Sequence, residues 1–435
     1  MPNQKSLAIL VAVFAVISGI LATSIRASAA DREKVLYSFK GGKDGNTPAG
    51  ALIFDAAGNL YGATGDGGDY QCDRFFGCGT IFKLEPVARG KWRKTILHTF
   101  KGPEGAYPGG LIFDAAGNLY GATTGGGAQG YGTVFELSPG GHGEWTESVL
   151  HSFNNKDGGE PGANLIFDAA GNLYSTTQVG GAYNSGTIFK LAPDKNGKWT
   201  ETVLHSFNGK DGNAPVSALI FDSLGNLYGT TAGGLYGAFT AGKWNCAGGV
   251  CGNVFKLAPG ADGKWTETVL HSFNGDDGVE AASSPVFDGS GNLYGTTVFG
   301  GDLTVSACGG YGCGTVFKVA PDSNGKWTET VLHKFDADVD GSYPYGEVIF
   351  DATGNLYGTI WYSAGMVFKL APSTDGKWKE TLIRRFNGND GASPAAGLVF
   401  DKSGNLYGTT EFGGGSSNCQ DQFGNGCGVV FEIMP

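Results

Sequence analysis

The residues able to do chemistry in this chain recur at fixed places. Five of the six histidines, His98, His151, His205, His271 and His333, each stand two residues before a phenylalanine in a segment of the type Thr-Val-Leu-His-Ser-Phe. Tyr37 and Arg384 hold the same place in two further segments. A general base or a metal ligand is needed once, so five equivalent copies point to packing or hydrogen bonding inside a repeated unit. His142 stands apart in a Gly-rich turn and is expected to be solvated. Carboxylates repeat too. Asp-Gly occurs at Asp44, Asp157, Asp211, Asp277, Asp340 and Asp390, each ten residues before a phenylalanine. Asp-Gly is turn chemistry. The competing reading is a ring of carboxylates converging on Ca2+, which takes six to eight oxygens. A D-x-D-x-D-G string occurs at one of the six alone, Asp336 to Gly341, and neither another cofactor nor a defined metal site is expected.

A catalytic or binding constellation has to break such symmetry. Glu347 does so: it precedes the apolar run Val348-Ile349-Phe350, where other copies carry Ala51, Gly110, Asn164 or Ala218. Asp73 and Asp421 are further lone carboxylates, and Phe75, Phe76, Tyr236, Trp244, Tyr311, Trp361, Tyr362 and Phe423 are aromatic residues found once each outside the repeat. Aromatic faces beside carboxylates suit sugar rings, which offer an apolar face and hydroxyl edges. The bland alternative is that these rings pack within their own loops. Gly125, Gly127 and Gly130 match a dinucleotide fingerprint, but no helix follows, so the context fails. Neither G-x-S-x-G nor H-E-x-x-H occurs.

The elements that must hold these residues follow from the repeat itself. Asp-x-x-Gly-Asn-Leu-Tyr occurs seven times, beginning at Asp55, Asp114, Asp168, Asp222, Asp288, Asp351 and Asp401. Each copy yields four short runs rich in Val, Ile, Thr, Tyr and Phe, separated by turn residues, which read as strands. They are named A (Leu-Ile-Phe), B (Leu-Tyr-Gly-Thr-Thr), C (Gly-Thr-Val-Phe-Lys-Leu) and D (Trp to Phe). Four-stranded units repeated in a ring make an all-β propeller. The seventh copy lacks strand D, and Val35-Leu36-Tyr37-Ser38-Phe39 near the N-terminus supplies it. The expectation is a seven-bladed β-propeller over 31–435, with blades at roughly 46–100, 101–153, 154–207, 208–273, 274–335, 336–386 and 387–435 plus 33–39. Strand A should line the central channel, which makes Glu347 the first candidate acid or ligand.

The strings Asp-x-x-Gly-Asn-Leu-Tyr-Gly-Thr-Thr and Gly-Thr-Val-Phe-Lys-Leu resemble the GloVer tandem repeats of choice-of-anchor proteins, an exported bacterial group, along the whole mature chain. The resemblance implies an exported repeat propeller. It implies no activity and maps no catalytic residue. The chain departs from the group after Phe431, where no hydrophobic tail or basic stop is found.

The eight cysteines form four close pairs, Cys72/Cys78, Cys246/Cys251, Cys308/Cys313 and Cys419/Cys427, each between strands B and C of one blade. Even count and local pairing read as disulfides, each worth roughly 2–2.5 kcal/mol by loop closure. From the repeat Tyr to the Gly opening strand C, the separations are 18, 12, 12, 24, 20, 8 and 21 residues, and the four longest carry the cysteines. One face is thus regular and the other elaborated, with raised loops over blades 7, 1, 4 and 5 expected to flank a groove.

Residues 1–29 read as a signal peptide, with Lys5, an apolar run from Leu7 to Thr23 and Ala27-Ser28-Ala29 as the cleavage site; an uncleaved anchor is the alternative. Without it, 28 basic face 41 acidic residues, a balance that argues against nucleic acid. The expected protein is an exported monomer with no membrane span. It binds extracellular carbohydrate on the elaborated face without catalysis. A glycan- or lactone-degrading enzyme using Glu347, Asp73 or Asp421 and a protein-interaction scaffold of the cell envelope are the alternatives.

Overall fold

The repeated motif folds into a tight hairpin whose hub is its aspartate. Asp55 Oδ1 accepts the backbone N–H groups of Ala57 and Asn59, each at 2.9 Å. Its Oδ2 accepts the Asn59 amide at 2.6 Å and the Tyr61 hydroxyl at 3.1 Å. Gly58 closes the turn at φ 84°, a conformation that glycine takes without strain. Burial alone would raise such a carboxyl. At Asp351 the hydrogen bonds from Asn355 and Thr353 outweigh it and hold the group down at about 2. The motif is therefore one self-satisfied A–B hairpin, written seven times.

The computed structural model describes residues 33–48, 50–72, 77–233, 238–240, 243–245, 251–421 and 424–435, with backbone only for 238–240, 243–245, 420–421 and 424–425. In blade 3 the strands run Ile166–Phe167, Leu173–Thr177, Thr187–Pro193 and Trp199–Ser206, antiparallel and in chain order. Six four-stranded sheets have this order. The seventh is closed by the N-terminal strand Glu33–Ser38, which pairs with Val429–Ile433 from Glu33↔Ile433 to Ser38↔Val429. The expected seven-bladed ring, fastened by its own first strand, is what is observed.

Every C–D pair carries a bulge at the same place. In blade 3, Val203 faces Phe189 and His205 faces Ile188, which leaves Leu204 as the extra residue. The shift recurs in the other blades. A bulge re-aims the residue beside it. Here Leu204 joins the core between blades while His205 is brought to Asp211 in the link that follows.

Seven hydrophobic clusters fill the seams between blades. At each seam the Phe ending strand D meets the strand C Phe of the next blade. Phe153 and Phe189 are 5.1 Å apart edge to face, Phe207 and Phe255 5.3 Å, and Phe273 and Phe317 5.0 Å. Such pairs add about 0.5–1.5 kcal/mol each beyond the area they bury.

The elaborated face has a second stitch. Thr47, Tyr107, Glu160, Ala214, Glu280, Tyr343 and Ser393 all take left-handed backbone conformations, φ 51–65°. Each donates its N–H, at 2.8–3.1 Å, to a carbonyl just before strand C of the preceding blade. In four blades that carbonyl belongs to the second cysteine of a pair: Cys78, Cys251, Cys313 or Cys427. The glycine opening strand C is required here. At Gly186, φ 91°, an added Cβ would lie 2.5 Å from Pro215 of the next blade. Cys72–Cys78, Cys308–Cys313 and Cys419–Cys427 are disulfide-bonded. The second sulfurs are buried in the seam clusters, so these bridges join the loops to the blade interfaces. Cys251 is disulfide-bonded as well, and Cys246 lies outside the described residues.

Candidate binding site at the channel mouth

The residue opening strand A projects to the axis in every blade, and these seven positions are where the repeat stops repeating: Ala51, Gly110, Asn164, Ala218, Ser284, Glu347 and Gly397. They line a cavity of about 360 Å³ that also touches Gly65, Tyr107, Thr124 and Tyr345, residues of the elaborated face. Small residues make most of the wall. Asn164, Ser284 and Glu347 are its polar members on the ring.

These polar groups are ordered by their neighbours. The Ala218 N–H donates to Ser284 Oγ at 3.0 Å, and Ser284 hydrogen-bonds Glu347 in turn. Blades 4, 5 and 6 are thereby linked around the channel. Glu347 lies over Gly397 of blade 7, where an added Cβ would be 2.4 Å from its Cγ. Asn164 leans the other way, over Gly110 of blade 2, into the space a side chain there would fill. Each long polar residue thus depends on a neighbouring glycine. Burial raises the Glu347 carboxyl well above its ordinary value, against the opposing bond from Ser284. A protonated carboxyl can donate as well as accept a hydrogen bond.

Tyr345 of the cavity lining packs edge-on to Trp361 with centroids 5.9 Å apart, and Trp361 Nε1–H donates to Glu411 Oε2 at 2.8 Å. Burial raises Glu411, with Trp361 opposing and Asp66 adding to the rise. Burial alone raises Glu280 to about 7. Both carboxylates act on the Tyr345 hydroxyl, which burial already pushes up. An aromatic and acidic quarter therefore stands over blades 5 to 7.

Of the residues singled out in the sequence, Glu347 lines the cavity and Trp361 packs against Tyr345, which lines it too. Tyr362 is 46 % exposed and meets Tyr343 edge-on at 5.3 Å, and Tyr311 is 42 % exposed in the blade 5 loop. Asp73, Phe75, Phe76, Tyr236 and Phe423 lie outside the described residues, and only the backbone of Trp244 and Asp421 is described, each in a short hairpin. The groove expected between the raised loops rests on those same segments. Ser284, Tyr345, Glu280 and Glu411 were missed. Comparing equivalent positions blade by blade would have found Glu411, since the residue after strand B is Gly65, Thr124, Gln178, Ala232, Val298, Trp361 and then Glu411.

The recurring histidines sit at the seams. His151, His271 and His333 each place Nε2 on the aspartate of the following Asp-Gly, at 3.2, 3.1 and 2.7 Å. The aspartate's other oxygen accepts a backbone N–H of its own turn, as from Asn154 to Asp157 at 3.0 Å. The Asp-Gly residues are thus turn-formers and histidine partners at once.

The pattern of the Gloeobacter/Verrucomicrobia repeat matches residues 73–243 and 231–422, most of the chain. The protein belongs to that repeat family. Two solved structures similar to this Gloeobacter/Verrucomicrobia repeat protein were compared. One, from Thermus thermophilus, is described as an oxidoreductase (glucose dehydrogenase). It is 15 % identical with a TM-score of 0.42, over 93 % of this chain and 99 % of that one. The other, described as a 6-phosphogluconolactonase of Bacteroides uniformis, is 13 % identical with a TM-score of 0.46, over 76 % and 84 %. No curated protein matches. Among the described residues of this family member, no helix is long and apolar enough to cross a membrane.

Proposed function

We propose that this Gloeobacter/Verrucomicrobia repeat protein is an exported binding protein whose ligand is a neutral carbohydrate, held at the channel mouth on the face carrying the B–C links. Three disulfides fit an oxidising compartment outside the cytoplasm. The observation carrying the reading is the broken symmetry of the channel ring. Asn164, Ser284 and Glu347 converge on one cavity whose volume suits one or two sugar units. A carboxyl whose charged form burial disfavours, beside an amide and a hydroxyl, suits hydroxyl groups better than a charged partner. Trp361, Tyr345 and Tyr362 offer ring surface nearby. Hydrolysis of a glycosidic bond calls for two carboxyl groups flanking it. Among the described residues lining the cavity, Glu347 is the one carboxylate, with Glu280 and Glu411 beyond Tyr345.

The test is incubation of the oxidised protein with a panel of polysaccharides and oligosaccharides, following both retention and released fragments. Retention without fragments is expected. Glu347→Ala and Trp361→Ala should each weaken it by about 10-fold, the worth of one or two lost contacts. Glu347→Gln keeps a donor and an acceptor and should change it little. Fragments that vanish in Glu347→Gln would replace this reading with a hydrolase at the same place. Absence of any glycan interaction would turn it towards a protein ligand.

A further inference from the structure

Each seam brings together three polar positions from two blades: the strand D residue two before Phe, the aspartate or glutamate of the following link, and the third residue of the next strand D. At the seam of blades 2 and 3 these are His151, Asp157 and Glu201; at that of blades 4 and 5, His271, Asp277 and Glu329. In both, the imidazole nitrogen and one oxygen from each carboxylate lie within 4.8 Å of one another. Glu201 and Glu329 each keep a buried Oε1 with no hydrogen-bond partner. Two partly buried carboxylates facing each other, one with a buried oxygen unused, favour a cation between them.

Two other seams show what fills that need. Between blades 6 and 7 the histidine is replaced by Arg384, whose guanidinium contacts Glu33 at 2.9 Å and also Asp390. Between blades 7 and 1 the glutamate is replaced by Lys94, whose ammonium lies 3.1 Å from Asp44 beside Tyr37. In both, a cationic side chain occupies the place left open at the seams of His151 and His271.

We propose that His151–Asp157–Glu201 and His271–Asp277–Glu329 are each a site for a divalent first-row transition metal, with Zn2+ the expected ion. The donor set decides the class. One imidazole nitrogen with two carboxylate oxygens, leaving a position for water, is Zn2+ chemistry. Ca2+ would want six to eight oxygens and gains nothing from the imidazole. The spacing is within reach of it: ligands about 2.0–2.1 Å from a tetrahedral Zn2+ stand ~3.3 Å apart, against 3.2 Å for His151 to Asp157, 3.1 Å for His271 to Asp277, and at most 4.8 Å to the glutamate oxygen in each cluster. The histidine and aspartate side chains remain 15–20 % exposed, which gives the ion a way in. Bound there, the ion clasps strand D of one blade to strand D of the next.

The experiment uses tag-free, chelator-treated full chain, titrated calorimetrically with Zn2+ at pH 7.5, with metal content measured after dialysis. Two equivalents are expected. Glu201→Gln and Glu329→Gln should each lose one, and the double variant both, while a tenfold excess of Ca2+ displaces neither. Co2+ added to the wild-type chain should give visible d–d bands of a nitrogen- and oxygen-ligated centre, a readout that does not depend on any variant folding. Failure to retain Zn2+, retention unchanged in the double variant, or displacement by Ca2+ would each overturn the assignment.

Discussion

The seams between blades and the ring around the channel are built from the same seven repeats, yet they obey different rules. At the seams, Phe–Phe pairs, bulged leucines and left-handed stitch residues recur from blade to blade. At the channel, the residue opening strand A changes almost every time, from glycine to glutamate. A ring that closes on itself needs each seam to supply the same angle and the same burial, so its chemistry is fixed by geometry. The axis carries no such demand, since side chains there face a shared space. Specific recognition can therefore be built at the channel with little disturbance to the fold.

The largest effect that would break this comparison is on stability. Phe189 is wholly buried at its seam, so Phe189→Ala should cost about 3–5 kcal/mol. Phe255→Ala at the next seam should cost the same within about 1 kcal/mol. Tyr362→Ala, on the exposed rim, should stay within about 0.5 kcal/mol. Guanidinium unfolding of the oxidised protein measures all three. Unequal costs at two equivalent phenylalanines would mean that the seams are not interchangeable.

A smaller effect sharpens the contrast from the channel side. Gly397→Ala places a methyl group 2.4 Å from Glu347 Cγ, so the carboxyl must swing away from Ser284. Overpacking of this kind costs about 1–3 kcal/mol, less than the loss of a seam phenylalanine. Carbohydrate retention should fall as far as in Glu347→Ala although residue 397 offers a ligand no polar group. Full retention in Gly397→Ala would show that the Glu347 pose does not matter for binding.

The difference also explains what could be read in advance. The sevenfold Asp-x-x-Gly-Asn-Leu-Tyr string exposed the blade count because each copy is a hairpin satisfied by its own side chains. The N-terminal Val35–Phe39 segment was recognisable as the missing strand because it repeats a pattern present elsewhere. Glu347 stood out as the exception to a repeated position. The support for Glu347 was not legible: Ser284 and Gly397 are small residues in neighbouring blades, and their role follows only once three blades share an axis. The seam clusters were hidden for a related reason. His151 and Glu201 are fifty residues apart in sequence, and Glu201 reads as an ordinary outward residue of an alternating strand. Asp157 was read as a turn-former, which accounts for one of its two oxygens.

The smallest expected effect is a pH dependence that opposes the seams to the hairpins. Burial, with Glu104 adding, raises Glu147 to about 7, and burial, with Asp211 adding, does the same for Glu267. A carboxyl whose value is higher in the folded state than in the unfolded chain stabilises the fold below its unfolded value, near 4.5, and loses that contribution as pH rises through 7. The hairpin aspartates run the other way. Asp351, held at about 2 against an unfolded 3.8, contributes above pH 3.8 and loses its contribution as pH falls towards 2. Chelated protein should therefore melt highest near pH 4–5 and fall off on both sides. Both glutamates are only half-buried, so solvent screening keeps each contribution below about 1 kcal/mol. The Glu147→Gln/Glu267→Gln double variant should make the limb from pH 4.5 to 7 shallower, the remainder being carried by Glu33, Glu201, Glu280 and Glu329, which are also raised to about 7, and leave the acid limb untouched. A melting midpoint already flat above pH 4.5 in the wild type would mean that these carboxyls are ionised in the fold and that the seams are balanced by some other charge.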